Sequence, residues 1–241
     1  DVCSSALLTG EIVARCHPAL EPFLPRPVPA REARPDWLRA MPAEVEAASL
    51  GGARIRTLKH CPPLIDALGL GLLMPLACDL RVEGGAISWD WSPPPLPDQL
   101  MTRAPIGAHA PEQAAGSPLA VGDRFLVKFI SFWTLEAPPG WSILFTHPFG
   151  RPPTPFHTLT GLVDCDRYSD GYVHFPAVWT DAGFTGVIPA GTPVAQAVPI
   201  PRASLSLRVE TMDATRQKAT RALQEELQAE RGVYRRDYRG G

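Results

Sequence analysis

The stretch from Gly161 to Ile200, GLVDCDRYSDGYVHFPAVWTDAGFTGVIPAGTPVAQAVPI, alternates short apolar runs with clusters of Asp, Gly and Pro. Runs of this length between turn residues read as strands rather than helices. The stretch is therefore expected to supply at least three strands of a β-meander. Its first acidic pair, Asp164 and Asp166, is the best candidate for the wall of a site.

Upstream, DRFLVKFISFWTLEAPPGWSILFTHPF (Asp123 to Phe149) predicts strands around the Pro138-Pro139-Gly140 turn. LLMPLACDLRVEGGAISWDW (Leu72 to Trp91) predicts two more about Gly84-Gly85, a hairpin signal. Pro62-Pro63 before LIDALGLG suits the first turn of a short helix closed by Gly69 or Gly71. From Pro93 to Pro118 neither hydrophobic period is present, which predicts a long surface loop. The proline-rich stretch His17 to Pro42 reads as an arm with one helical turn at Trp37-Leu38-Arg39, packed on the core by Phe23, Leu24 and Trp37. After Thr211 a capping residue, good helix formers and Gly232 predict a helix, whose thin stripe of Ala219, Leu223 and Leu227 suits a face laid on the body or on a partner subunit. These readings give an arm over residues 1–56, a β domain over 57–210, and a C-terminal helix with a basic tail over 211–241.

Composition limits the function classes. With 45% apolar and 20% charged residues among 241, the chain has the make-up of a globular protein with a sizeable core. Its 28 prolines argue against long helices. Cys3, Cys16, Cys61, Cys78 and Cys165 are scattered without CxxC pairing, as expected of reduced thiols in a cytoplasmic protein. No apolar run approaches the roughly 18 residues of a membrane span, so no membrane partner is expected. A net charge of −2 supplies no global field for nucleic acid.

Read in order, the segments ACDLRV (Ala77 to Val82), VKFISFWTLEAPPGW (Val127 to Trp141), SILFTHPFGR (Ser142 to Arg151), GLVDCD (Gly161 to Asp166) and GTPVAQAV (Gly191 to Val198) form a series. The series resembles the dUTP pyrophosphatase and dCTP deaminase superfamily. That superfamily has an Ala-Gly-x-Asp-Leu motif, a Pro-Pro-Gly turn, a Gly-x-Ile-Asp-x-Asp segment and a closing Gly-x-x-Ile-Ala-Gln strand. The resemblance covers Leu73 to Pro201. It implies a mainly β protein, a distorted β-barrel of the β-clip type, with a homotrimer among the expected assemblies. It also implies a small-molecule, nucleotide-like ligand, with Asp164 in the place of the acid that meets the sugar and the attacking water. Two departures separate the chain from an authentic dUTP pyrophosphatase. The phosphate-gripping Pro-Arg-Ser-Gly is replaced by Thr146-His147-Pro148-Phe149-Gly150-Arg151, and the glycine-rich closing arm is replaced by a helix. Lys59-His60-Cys61-Pro62-Pro63 and PPGWSILFTHP also resemble a family of bacterial and tailed-phage proteins, a likeness that spans most of the chain and brings no activity with it.

The residues themselves suggest several sites. Asp164 and Asp166 in a strand share one side, about 6.5 Å apart. Their repulsion would raise one pKa and prepare a base or a Mg²⁺ ligand; alternatively they accept from backbone amides at the next turn. Asp79 interrupts an apolar strand, and Arg81 is its expected ion partner. His147 and His157 bracket a proline-held loop carrying Arg151 and, with Asp164, would make a His/His/Asp set for Fe(II) or Zn²⁺. His60 and Cys61 are alternative donors to iron or haem, or ordinary packing residues. The tryptophans Trp89, Trp91, Trp133, Trp141 and Trp179 are core, or in part an aromatic wall. The candidates thus comprise Asp164, Asp166 and His147 for catalysis, Asp79, Arg151, Trp179 and Gln196 for ligand contact, and His60, Cys61 and His157 for metal. Arg231, Arg235, Arg236 and Arg239 beside Tyr234 and Tyr238 form a basic tail that either contacts an anion or is solvated. Three function classes follow: a small-molecule binder or enzyme, a metal- or haem-dependent redox enzyme, and a phage-type structural or assembly protein.

Overall fold

The computed structural model describes residues 10–96, 102–119 and 124–239; Cys3, part of the 93–118 segment, and the final Gly240-Gly241 lie outside them. The chain divides into two compact units, Asp1–Arg202 and Ala203–Gly241. The first opens with β1 (Val13–Arg15), β2 (Val28–Pro29), α1 (Asp36–Ala40) and a hairpin of β3 (Glu44–Ala47) and β4 (Ala53–Arg56). Helix α2 (Pro62–Leu68) precedes β5 (Leu72–Pro75), β6 (Leu80–Glu83) and β7 (Ala86–Ser88). Next come β8 (Ile106–Ala108), β9 (Phe125–Phe129), β10 (Thr134–Glu136), β11 (Trp141–Thr146) and β12 (Phe156–Thr158). The stretch after Thr160 yields β13 (Gly161–Val163), β14 (Phe175–Trp179), β15 (Gly186–Ile188) and β16 (Pro193–Pro201). The second unit carries α3 (Ala214–Ala229), capped by the Asp213 carboxylate, which accepts from the Arg216 amide at 2.7 Å.

The protein is mainly β, but among the described residues its ladders do not close into the expected barrel. Five sheets form, with orders β13-β11-β16-β5-β2, β12-β14-β9-β8, β15-β6-β7, β1-β10 and β3-β4. Prolines at ladder positions, among them Pro29, Pro75, Pro176 and Pro199, withhold an N–H and keep the ladders short.

The meander expected from Gly161 to Ile200 is not formed either. Strand β13 pairs with β11, β14 lies between β12 and β9, β15 joins β6, and β16 runs between β11 and β5. Each strand goes where its apolar face is covered. Val194 to Val198 are buried without a break, which places β16 in the middle of its sheet. The Pro138-Pro139-Gly140 turn likewise joins strands of different sheets, because β10 pairs with β1 and β11 with β13 and β16. Gly140 sits there at φ 83°, in the region that favours glycine.

One core joins four of the sheets, through Leu135, Ile143, Phe129, Phe156, Trp179, Leu80 and Ile188 among others. The β3–β4 hairpin contributes no residue to it. Two local readings hold in detail. The Gly84-Gly85 hairpin pairs β6 with β7, and α2 begins at Pro62 and is followed by Gly69, whose amide donates to the Ile65 carbonyl. Two others need correction. The 93–118 segment contains β8, paired with β9, because Ile106 fills a buried position opposite Phe129. In the arm, Leu24 packs as expected against Ile130 and Phe132, but Phe23 is exposed and Leu20 takes its place, while the Trp37 indole donates to the Gly150 carbonyl at 2.6 Å. No helix of the described residues is long and apolar enough to cross a membrane.

Candidate functional site

The acidic pair sits where β13 ends. Cys165 turns fully inward, and the carboxylates on either side of it meet one cation, Arg202, at the end of β16. Arg202 Nη1 donates to Asp166 Oδ1 at 2.6 Å and lies 3.2 Å from Asp164 Oδ1, while Nη2 donates to Asp166 Oδ2. This fork on Asp166 is the strong, bidentate form of the pair. The Gly140 amide donates to Asp166 Oδ2 at 2.9 Å, and the Ser142 hydroxyl donates to Asp164 Oδ1 at 2.6 Å. The register of β11 with β13 and β16 assembles this group, since Trp141 opposes Pro201 and Ile143 opposes Val163.

The expectation that mutual repulsion raises one carboxyl pKa is overturned. Hydrogen bonds from Arg202 and then Gly140 hold Asp166 well below the usual carboxylate range, and Ser142 followed by Arg202 lowers Asp164. A guanidinium between the two acids outweighs their repulsion. Both are anions at neutral pH, and neither is poised as a base. Asp166 is nearly closed to solvent at 8% side-chain exposure, whereas Asp164 keeps 44%. Burial, with the two flanking carboxylates, pushes the Cys165 thiol up to about 11, so it is not an activated nucleophile.

A second cluster lies at the other end of β11. From Ser142 to His147 a strand rises roughly 16 Å at about 3.3 Å per residue. The His147 and His157 rings stack with centroids 4.4 Å apart, so the sequence correctly paired these two. His147 Nδ1 accepts from the Thr158 amide at 3.2 Å, which leaves the proton on Nε2, and burial followed by His157 lowers its pKa to about 4. Arg151, expected at the same opening, turns to the arm and donates to the Ala33 carbonyl; burial lowers its pKa. Asp164 does not join the imidazoles, and among the described residues no group of three or more His, Cys, Asp or Glu side chains converges as a metal site.

The two clusters titrate in separate windows. The folded His147 pKa lies below its ordinary 6.5, so its contribution to stability is complete above that value and is lost as pH falls toward 4. For Asp164 and Asp166 the folded pKa values lie below the usual carboxyl value of about 3.9, so their contribution persists to about pH 4 and is lost only in stronger acid. A thermal-melt series against pH is expected to show two declines. His147→Gln should shrink the one between pH 6.5 and 4, to which the buried His174 also contributes, and Asp166→Asn should shrink the one below it, which Asp164 shares. A single decline shared by both variants would contradict this assignment.

Most of the remaining candidates make packing or main-chain contacts. Asp79 is exposed, and its carboxylate accepts from the Ala190 amide at 2.7 Å instead of forming the expected ion pair with Arg81, which is also exposed. Trp179 is 2% exposed and packs in the core. Gln196, 1% exposed, accepts from the Phe149 amide at 2.9 Å and donates to the Leu70 carbonyl at 2.6 Å, tying β16 to the end of α2. His60 is exposed, and the Cys61 carbonyl accepts from the Ile65 amide at the start of α2. Trp133 donates to the Pro25 carbonyl and Trp91 packs edge-on against Phe132, while Trp89 is exposed. In the tail, Arg236 pairs with Glu230 and Asp237, and Tyr238 donates to Glu226. A depression lined by Leu20, Pro94, Leu96, Arg103 and Phe132 has space for about one water, far short of the roughly 300 Å³ of a ligand site.

Arg202 and Ser142 escaped the sequence reading. Arg202 is 36 residues from Asp166, and its role exists only through the β11–β16 register. No protein-family model and no curated protein matches the chain.

Proposed function

We propose that the chain is a structural assembly protein. Its body is read as an open form of the dUTP pyrophosphatase-like β-clip fold, with the acidic pair converted from chemistry to the ion-pair node around Arg202. The observation that carries this reading is the state of the second unit. Leu205 and Leu207 are each 91% exposed, Val209 is 85% exposed, and no residue of α3 is buried. Burying one such leucine is worth about 1.5–3 kcal/mol, so association would stabilise the unit by several kcal/mol. The structural employment of Trp179 and Gln196, and the likeness to bacterial and tailed-phage proteins, support the same reading.

A ligand-binding reading is supported by one feature, the open and ionised Asp164 carboxylate, which could accept from a nucleotide hydroxyl or hold Mg²⁺. One set of measurements separates the two. For an assembly, the full chain sediments as an oligomer and its melting temperature rises with protein concentration. Nucleotides with Mg²⁺ should leave it unchanged. A monomer at every concentration, stabilised by a nucleotide by about 2.7 kcal/mol at a hundred times its Kd, would overturn the assembly reading in favour of the ligand.

A further inference from the structure

The β3–β4 sheet has two strands only, and a two-stranded sheet is marginal in water without a third strand. Its faces are sharply divided. Val45, Ala47, Ala53 and Ile55 share one, with Val45 and Ile55 39% and 38% exposed, and Glu44, Glu46, Arg54 and Arg56 share the other. The Thr57 amide donates to the Ala43 carbonyl, so the hydrogen-bonded pairs of the ladder are Val45 with Ile55 and Ala47 with Ala53. The N–H and C=O groups of Arg54 and Arg56 therefore point away from β3, along an edge that no strand of the described residues covers. All four β4 residues are exposed, whereas β3 has Ala47 buried, which makes β4 the open edge.

The chain also holds a strand-like segment without a sheet. From Ser204 to Glu210 the residues alternate Ser, Leu, Ser, Leu, Arg, Val, Glu, the period of a strand with one apolar face. The apolar members are the exposed Leu205, Leu207 and Val209, and the polar side carries Arg208 paired with Glu210. Its two faces match those of the hairpin, apolar beside apolar and charge-balanced beside charge-balanced. Donor and acceptor occur once each per chain, so identical copies satisfy one another without leftover edges.

We infer that Ser204–Glu210 of one copy adds as a third strand to the β4 edge of a second copy, main-chain hydrogen bonds supplying the attachment and the alternating leucines the register. This inference rests on the assembly reading and names its interface. Arg54→Pro deletes an N–H that the hairpin does not use and blocks the acceptor edge. Leu207→Lys spoils the donor. Each variant alone is expected to sediment as a monomer with an unchanged circular dichroism spectrum. An equimolar mixture should form a heterodimer, because one partner keeps its donor and the other its edge. In the unaltered chain, hydrogen exchange at the Arg54 and Arg56 amides should slow as protein concentration rises, a readout that stands even if a variant fails to fold. If both variants keep the parent's oligomeric mass, or these amides exchange freely within an oligomer, this interface is wrong while the assembly reading survives. Protection independent of concentration in a monomer would assign the edge to the chain's own segment and overturn both.

Discussion

Trp179→Ala is expected to lower the unfolding free energy of the protein by about 3–5 kcal/mol, measured by urea denaturation followed by circular dichroism at fixed protein concentration. The ring stacks on Phe125 with centroids 5.7 Å apart and lies 6.4 Å from both Phe156 and Phe184, while its N–H donates to the Asp181 carbonyl at 2.8 Å. Truncation removes the aromatic contacts, leaves a cavity between β14 and its neighbours, and takes one of two donors from the Asp181 carbonyl, which keeps the Phe184 amide. Each of these acts in the same direction. The variant also decides between two roles for the indole. A wall residue of a ligand cleft would give up little stability on truncation, so a loss below about 1 kcal/mol would return Trp179 to the binding candidates.

The second large effect is expected at Gln196. Gln196→Leu keeps the volume but leaves the Phe149 amide and the Leu70 carbonyl without their side-chain partner, at about 1–3 kcal/mol for each group that stays buried, or roughly 2–6 kcal/mol if both do. Gln196→Glu adds a pH signature. An ionised carboxylate still accepts from Phe149 but cannot donate to Leu70, and at 1% exposure its charge is poorly solvated. Burial would raise its folded pKa above the ordinary value of about 4.3, so the variant should be least impaired below that pH and lose stability as pH rises through the folded pKa. A Gln196→Glu protein as stable as the parent at pH 7 would mean that water reaches the site, and the ligand-contact role would regain support.

What the chain's local chemistry announces is announced clearly. Pro62-Pro63 and Gly69 bound α2, Gly84-Gly85 turns β6 into β7, and the helix formers after Asp213 make α3, because each depends on residues a few positions apart. The β3–β4 hairpin carries the same kind of signal, alternating Val45, Ala47, Ala53 and Ile55 about Gly51-Gly52, just beyond the proline-rich stretch that ends at Pro42. The alternation after Arg202 is equally plain, although no strand partner for it is near in the sequence.

The amino-acid order by itself determined that short strands would dominate, that His147 and His157 would bracket one proline-held loop, and that Asp164 and Asp166 would flank Cys165. Only the tertiary structure decided which strands pair, sending the four strands from Gly161 onward into three different sheets. It also decided that Arg202 would arrive between the two acids, and that Trp179 and Gln196 would be enclosed. The division has a physical cause. Backbone preference and turn chemistry act over a few residues, but a ladder partner is chosen by which apolar faces can be buried together across the whole chain. The ionisation of a carboxylate then depends on whatever charge that choice brings within hydrogen-bonding distance.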